Sequence, residues 1–174
     1  MAEQPYGRVR LVEMVVESVR VHMLSSQHVV ILKESERDRY LPIWIGPSEA
    51  NAIAMRLQGL SAERPLTHDL MKNFMNAFSV ELNEIIINDL QEGIFFSKLV
   101  CSTENDTVEI DSRTSDALAL AVRFGCPIYT YENILESAGI MMEETSGKKK
   151  KAQGEVVEDV RTGSEDLKAM SIEE

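Results

Sequence analysis

The segment Leu41-Pro-Ile-Trp-Ile-Gly-Pro-Ser-Glu-Ala-Asn-Ala-Ile-Ala54 constrains this chain more than any other. Leu41, Ile43 and Ile45 alternate as a short buried strand does. Gly46-Pro47 then turns that strand straight into a helix, because proline suits the first helical position, where its missing N–H would be unpaired anyway. Glu49 falls at the third helical position, within reach of the helix start as a cap and dipole complement. Trp44, the single tryptophan, lies between two isoleucines and is read as core or dimer surface rather than as a base-stacking platform. Signals packed this tightly mark a rigid turn on which chemistry or recognition is anchored.

The same grammar recurs twice. Arg64-Pro-Leu-Thr-His-Asp-Leu-Met71 opens a second helix, with Thr67 as the expected N-cap and Asp69 in the first turn. Ile110-Asp-Ser-Arg-Thr-Ser-Asp-Ala-Leu118 ends a strand and opens a third, with Thr114 as the expected cap and Asp116 in the first turn. Each helix start carries a carboxylate, and two have an arginine close by.

These segments, with Ile86-Ile-Asn-Asp89 and the run from Glu109 to Tyr129, resemble the bifunctional nuclease family over roughly residues 8–140. The resemblance implies DNase or RNase activity. The family pattern Asp-x-Arg-Pro-Ser-Asp before the third helix is met here by Asp111-Ser-Arg-Thr-Ser-Asp116. Thr114 replaces the proline, which keeps a capping residue and gives up the fixed φ.

Residues 8–22 alternate, with Val9, Leu11, Glu13, Val15, Glu17, Val19 and Val21 on one mostly apolar face, and predict a long strand. Residues 28–32 return as its hairpin partner. The first helix is expected over 47–59, with Ala50, Ile53, Ala54, Leu57 and Leu60 inward. The second is expected over 68–78, with Leu70, Met71, Phe74, Met75 and Phe78 inward. Residues 80–88 and 94–101 form a hairpin about Gln91-Glu-Gly93. A third, buried helix covers 115–124 and stops at Gly125; a strand at 127–131 and a short helix at 132–138 follow. The expected fold is α+β: one domain over 8–140, antiparallel hairpins packed with three main helices. Residues 141–174 read as a charged, disordered tail containing Lys148-Lys-Lys-Lys151. The long N-terminal hairpin leaves an edge strand that needs protection, which predicts a homodimer or higher homo-oligomer.

Composition narrows the function. The chain has 174 residues and a net charge of −11. That acidity argues against a general nucleic-acid coat, which relies on Lys and Arg neutralising phosphates. It is compatible with a nuclease whose carboxylates hold cations. No apolar run spans a bilayer and no signal pattern opens the chain, so a cytoplasmic protein without membrane contact is expected. Cys101 and Cys126 lack metal-type spacing and read as reduced thiols, and three histidines exclude a His-rich metal site.

Two functions fit. In the first, a nuclease cleaves DNA or RNA with Mg²⁺ or Mn²⁺ held by Glu49, Asp69, Asp111 and Asp116, a hard oxygen donor set. Asp69, Asp111 and Asp116 supply ligands or general-base capacity, His68 assists proton transfer, and Arg64 and Arg113 hold the phosphate. In the second, polar helix starts line a self-association surface or a small anionic-ligand pocket of a non-catalytic regulatory module. A first-turn acid is explained by the helix dipole alone, and an Asp–Arg surface pair is common. Convergence of Glu49, Asp69, Asp111 and Asp116 in space is therefore the decisive geometric question.

Overall fold

The computed structural model describes residues 10–22, 24–141 and the strand at 157–159. In chain order these form β1 (Leu11–His22), β2 (Gln27–Glu34), β3 (Arg39–Ile45), α1 (Pro47–Leu57), α2 (Thr67–Ala77), β4 (Glu81–Gln91), β5 (Ile94–Ser102), β6 (Thr107–Arg113), α3 (Thr114–Phe124), β7 (Ile128–Tyr131), α4 (Glu132–Ala138), β8 (Ile140–Met141) and β9 (Val157–Asp159). The strands build a single sheet in the order β6-β5-β4-β7-β1-β2-β3-β8, with β9 paired to β1. Most of the expected tail lies outside the described residues. Among the described residues no helix is long and apolar enough to cross a membrane.

The fold is α+β, but it differs from hairpins alone with three helices. β4 and β7 are parallel, so the sheet is mixed, and the short helix expected at 132–138 stands as α4 beside the three main helices. The parallel pair arises because β5, β6 and α3 form a long crossover between β4 and β7, as parallel pairing requires. Elsewhere local chemistry sets the hairpins. At the β4–β5 turn Glu92 and Gly93 both have positive φ, 50° and 80°, the pattern of a tight primed turn.

β1 departs from simple alternation. Val12 and Met14 are buried, while Leu11 and Val15, expected inward, face out. The register against β2 then shifts between Val16 and Ser18, and Val19 comes inward. One extra residue in a bulge reverses which parity faces the core, which a period-two reading carries straight through.

The centre of the molecule is α3. Ala117, Leu118, Ala119, Leu120 and Ala121 are all at most 2% exposed. Its alanines let α1 and the β4–β5 hairpin approach closely, and Leu32, Leu41, Ile53, Ile85, Ile87 and Leu135 close the same cluster. Each such aliphatic side chain contributes about 1.5–3 kcal/mol by leaving water. The left-handed Gly125, at φ 72°, ends the helix.

α2 corrects a second expectation. It packs on α3 and buries only His68 and Met75. Leu70, Met71, Phe74 and Phe78 are exposed, with the Phe74 and Phe78 rings 4.6 Å apart. An apolar stripe says that a helix face seeks cover, not that its own domain supplies it. Leu57 and Leu60 are likewise exposed, because α1 ends at Leu57. Trp44 is not core: it stands 59% exposed.

Candidate functional site

The starts of α1, α2 and α3 meet, and a chain of side chains joins them. Arg113 donates through Nε to Asp116 Oδ2 at 2.7 Å and through Nη2 to Glu49 Oε1 at 2.8 Å. The other oxygen of Asp116, Oδ1, lies 2.9 Å from His68 Nε2. Glu49 belongs to α1, Asp116 to α3 with Arg113 just before it, and His68 to α2, so each helix start contributes at least one member.

The local sequence explains each placement. β6 passes into α3 with no loop, so Arg113 is both the last strand residue and the N-cap. Thr114 is the first helical residue rather than the cap. Its buried hydroxyl donates to the Phe95 carbonyl at 3.1 Å and accepts from Ser97 Oγ at 2.7 Å, tying the helix start to β5. A proline here could make neither bond. In α2 the N-cap is Leu66, not Thr67, and its N–H donates to Asp69 Oδ2 at 2.9 Å. In α1 the Glu49 side chain makes no cap bond to Gly46 and is given to Arg113 instead.

Gly46 is needed for space, not for φ. A Cβ there would collide with a Glu49 carboxylate oxygen. The colliding atom ends a flexible side chain, so Gly46→Ala is expected to turn Glu49 away from Arg113 at a cost of about 1 kcal/mol or less. A thermal-unfolding cycle checks this: with Glu49→Ala already in place, Gly46→Ala should cost almost nothing. Additive losses would show that the glycine serves something else.

One central residue had no part in the sequence expectations. Arg123, in the last turn of α3, is 5% exposed. Its Nε donates to Asp69 Oδ1 at 2.7 Å, and its Nη1 donates to the carbonyls of Ala119 at 2.9 Å and Ala52 at 3.1 Å. It thereby binds the start of α2 to α1 and α3, and His68 is next to the residue it grips. A lone arginine inside the run Ala117-Leu-Ala-Leu-Ala-Val-Arg-Phe124 was the available signal, since a charge in a buried helix face must find partners.

The electrostatics follow from these partners. Burial works against ionisation of Asp69, but Arg123, the Leu66 N–H and His68 hold its carboxyl below the usual range. Burial likewise opposes Asp116, and Arg113 and His68 outweigh it. A carboxyl whose folded pKa is depressed stabilises the fold above the unfolded value, about 4, and loses that contribution as pH falls through the folded value. Asp69→Asn is therefore expected to flatten the fall in urea-unfolding midpoint below about pH 4. An unchanged acid limb would contradict the pairing.

The other sequence candidates stand apart. Asp111 is exposed on β6 opposite Lys98 and does not enter the linked chain. Arg64 is exposed in the loop before α2, with no hydrogen bond or ion pair among the described residues. Nor do the carboxylates fit a metal cage. Glu49, Asp69 and Asp116 each spend oxygens on arginine or histidine, and among the described residues no three of His, Cys, Asp and Glu could hold one ion. Two hollows flank the chain. One of about 350 Å³ lies between α1 and α2 beside Asp69 and Arg123. The other, about 450 Å³, is lined by Trp44 and Arg113.

The bifunctional nuclease domain matches residues 30–143, a span that contains every member of the linked chain. The chain belongs to the bifunctional nuclease domain family. Among similar proteins, Uncharacterized protein MT1877 of Mycobacterium tuberculosis is 43% identical over 140 residues, covering 80% of each chain. Bifunctional nuclease 1 of Oryza sativa subsp. indica is 22% identical over 126 residues, which is 70% of this chain and 38% of the rice protein. Bifunctional nuclease of Oryza minuta matches to the same extent. The family match begins within β2 and runs past α4, so the three helix starts lie inside the matched domain and β1 lies before it.

Proposed function

We propose that this protein hydrolyses phosphodiester bonds in DNA or RNA at the junction of α1, α2 and α3. The observation that carries the reading is the His68–Asp116–Arg113–Glu49 chain, set across three helix starts in a bifunctional nuclease domain. His68 is the general base. With its Nε2–H donated to Asp116, the free lone pair is on Nδ1, and the carboxylate orients the ring and steadies its charged form. Arg113 meets the phosphate. Nε and Nη2 are spent on Asp116 and Glu49, and Nη1 has no partner among the described residues. Glu49 holds the guanidinium in place, and Arg123 with Asp69 holds the α2 start. No step passes through a metal ion, because the donors present do not form a cage for one.

The test is a cleavage assay on labelled single-stranded and double-stranded DNA and RNA, run with EDTA and with added Mg²⁺ or Mn²⁺. Cleavage lost in His68→Ala supports the reading. No cleavage of any substrate under any of these conditions overturns it. EDTA sensitivity would mean that substrate phosphate and protein oxygens together hold a cation.

A second reading is favoured by one observation. Three carboxylates and two guanidinium groups at the junction already neutralise most of one another, as in a structural clamp. A non-catalytic module that self-associates or holds a small anion would need no more. Self-association accompanies either reading, since the exposed Leu70, Phe74 and Phe78 stripe is an apolar face of the kind that homo-oligomers cover. Light scattering at micromolar concentration should report a dimer or larger, and Phe74→Glu should shift it to the monomer.

A further inference from the structure

We propose that the hollow beside Arg113 is a base-binding subsite for single-stranded nucleic acid, with Trp44 as its stacking platform. This rests on the nuclease reading for its substrate class. The hollow is about 450 Å³, and its lining includes Trp44, Ile45, Arg113, Ser115, His28 and Gln27. That volume is within the range of small-molecule sites.

Three features point to a nucleobase. First, Trp44 is the only tryptophan and is 59% exposed, on a strand whose neighbours Leu41 and Ile43 are buried. A large indole face beside a hollow offers sequence-tolerant stacking to any base. Second, the lining is partly polar: His28, Gln27 and Ser115 can each accept or donate to a base edge. Third, Arg113 belongs both to this hollow and to the chain that ends at His68. Its side chain is 69% exposed and Nη1 is unpartnered among the described residues. A nucleotide whose phosphate meets Arg113 has its base directed to the Trp44 side and its scissile bond to the His68 side. A duplex keeps its bases stacked on one another and cannot use the indole, so the subsite selects unpaired strands.

The lone tryptophan is its own probe. Titrating the full chain with a phosphorothioate 12-mer of mixed sequence, which resists cleavage, should quench the emission saturably. An abasic 12-mer with the same backbone should quench weakly or not at all. Trp44→Ala should weaken binding of the base-bearing oligomer, followed by fluorescence anisotropy of a labelled strand, about tenfold, and Trp44→Phe should recover part of it. In the cleavage assay Trp44→Ala should raise KM on single strands with little change in kcat. Quenching without any cleavage would sink the nuclease reading and leave the subsite standing. Cleavage with an unchanged KM in Trp44→Ala, or equal quenching by the abasic strand, would overturn the subsite and leave the nuclease reading standing. Emission that shifts on dilution of the protein alone would show a second copy covering Trp44, and would also overturn it.

Discussion

Arg123→Ala is expected to destabilise the fold by about 3–5 kcal/mol, the range for removing one partner of a buried, hydrogen-bonded pair. The guanidinium is almost wholly enclosed and touches all three helices that meet at the site, through Asp69, Ala52 and Ala119. Its removal leaves two carbonyls without their donor and takes from Asp69 the cation that balances it. For a chain of this size the melting temperature should drop by about 10 °C or more. Arg123→Lys should fall between, because an ammonium keeps the charge and loses the fork that reaches three acceptors. A loss below about 1 kcal/mol in urea unfolding would mean that the helices hold together without it. Because His68 adjoins Asp69, activity in any folded Arg123 variant should fall further than stability predicts, through kcat more than KM.

Asp116→Asn is expected to lower cleavage by about 10²–10⁴-fold, the contribution of a positioned general base. The amide can still accept from Arg113 with its oxygen. Its NH₂ then faces His68 Nε2, which must accept rather than donate. The proton moves to Nδ1 and the lone pair that would take a proton from water is gone. The side chain is half-buried and bonded twice, so the stability cost is about 1–2 kcal/mol, more than a free surface charge would show. Stopped-assay rates on single-stranded RNA and DNA beside melting curves separate the two effects. An Asp116→Asn protein that cleaves at the wild-type rate would remove His68 and Asp116 from the chemistry.

Much of the local structure was legible because it is set by neighbours in sequence. Gly46-Pro47, Gly125 and Glu92-Gly93 mark their helix start, helix end and turn through backbone conformation alone. The three carboxylates in helix first turns were visible for the same reason, since Glu49, Asp69 and Asp116 each fall three positions after an N-cap. What those carboxylates bind was not. Glu49 could cap its own helix or reach Arg113, and only the close approach of α1 to α3 decides for Arg113. Asp111 and Asp116 lie five residues apart in one motif, yet the strand keeps the first on an open sheet edge while the helix turns the second to His68.

The same division separates the core from the surface. Periodicity correctly put Ile53 inside, and Leu118 and Leu120 with the buried helix over 115–124, because water excludes them wherever cover is available. It put Phe74 and Phe78 inside too, and among the described residues both stand exposed. In β1 the alternation was real, but the bulge at Glu17 reverses its sense, and that bulge depends on pairing with β2. Arg123 shows the limit most clearly. Its charge could be seen in the apolar helix, while its partners at positions 52, 69 and 119 are brought together only when α1, α2 and α3 pack. By itself the sequence determined where strands turn into helices and which acids stand at those turns, since backbone sterics and capping act over a few residues. Which acid meets which base was decided by packing, because a contact between residues more than forty positions apart has no local signature.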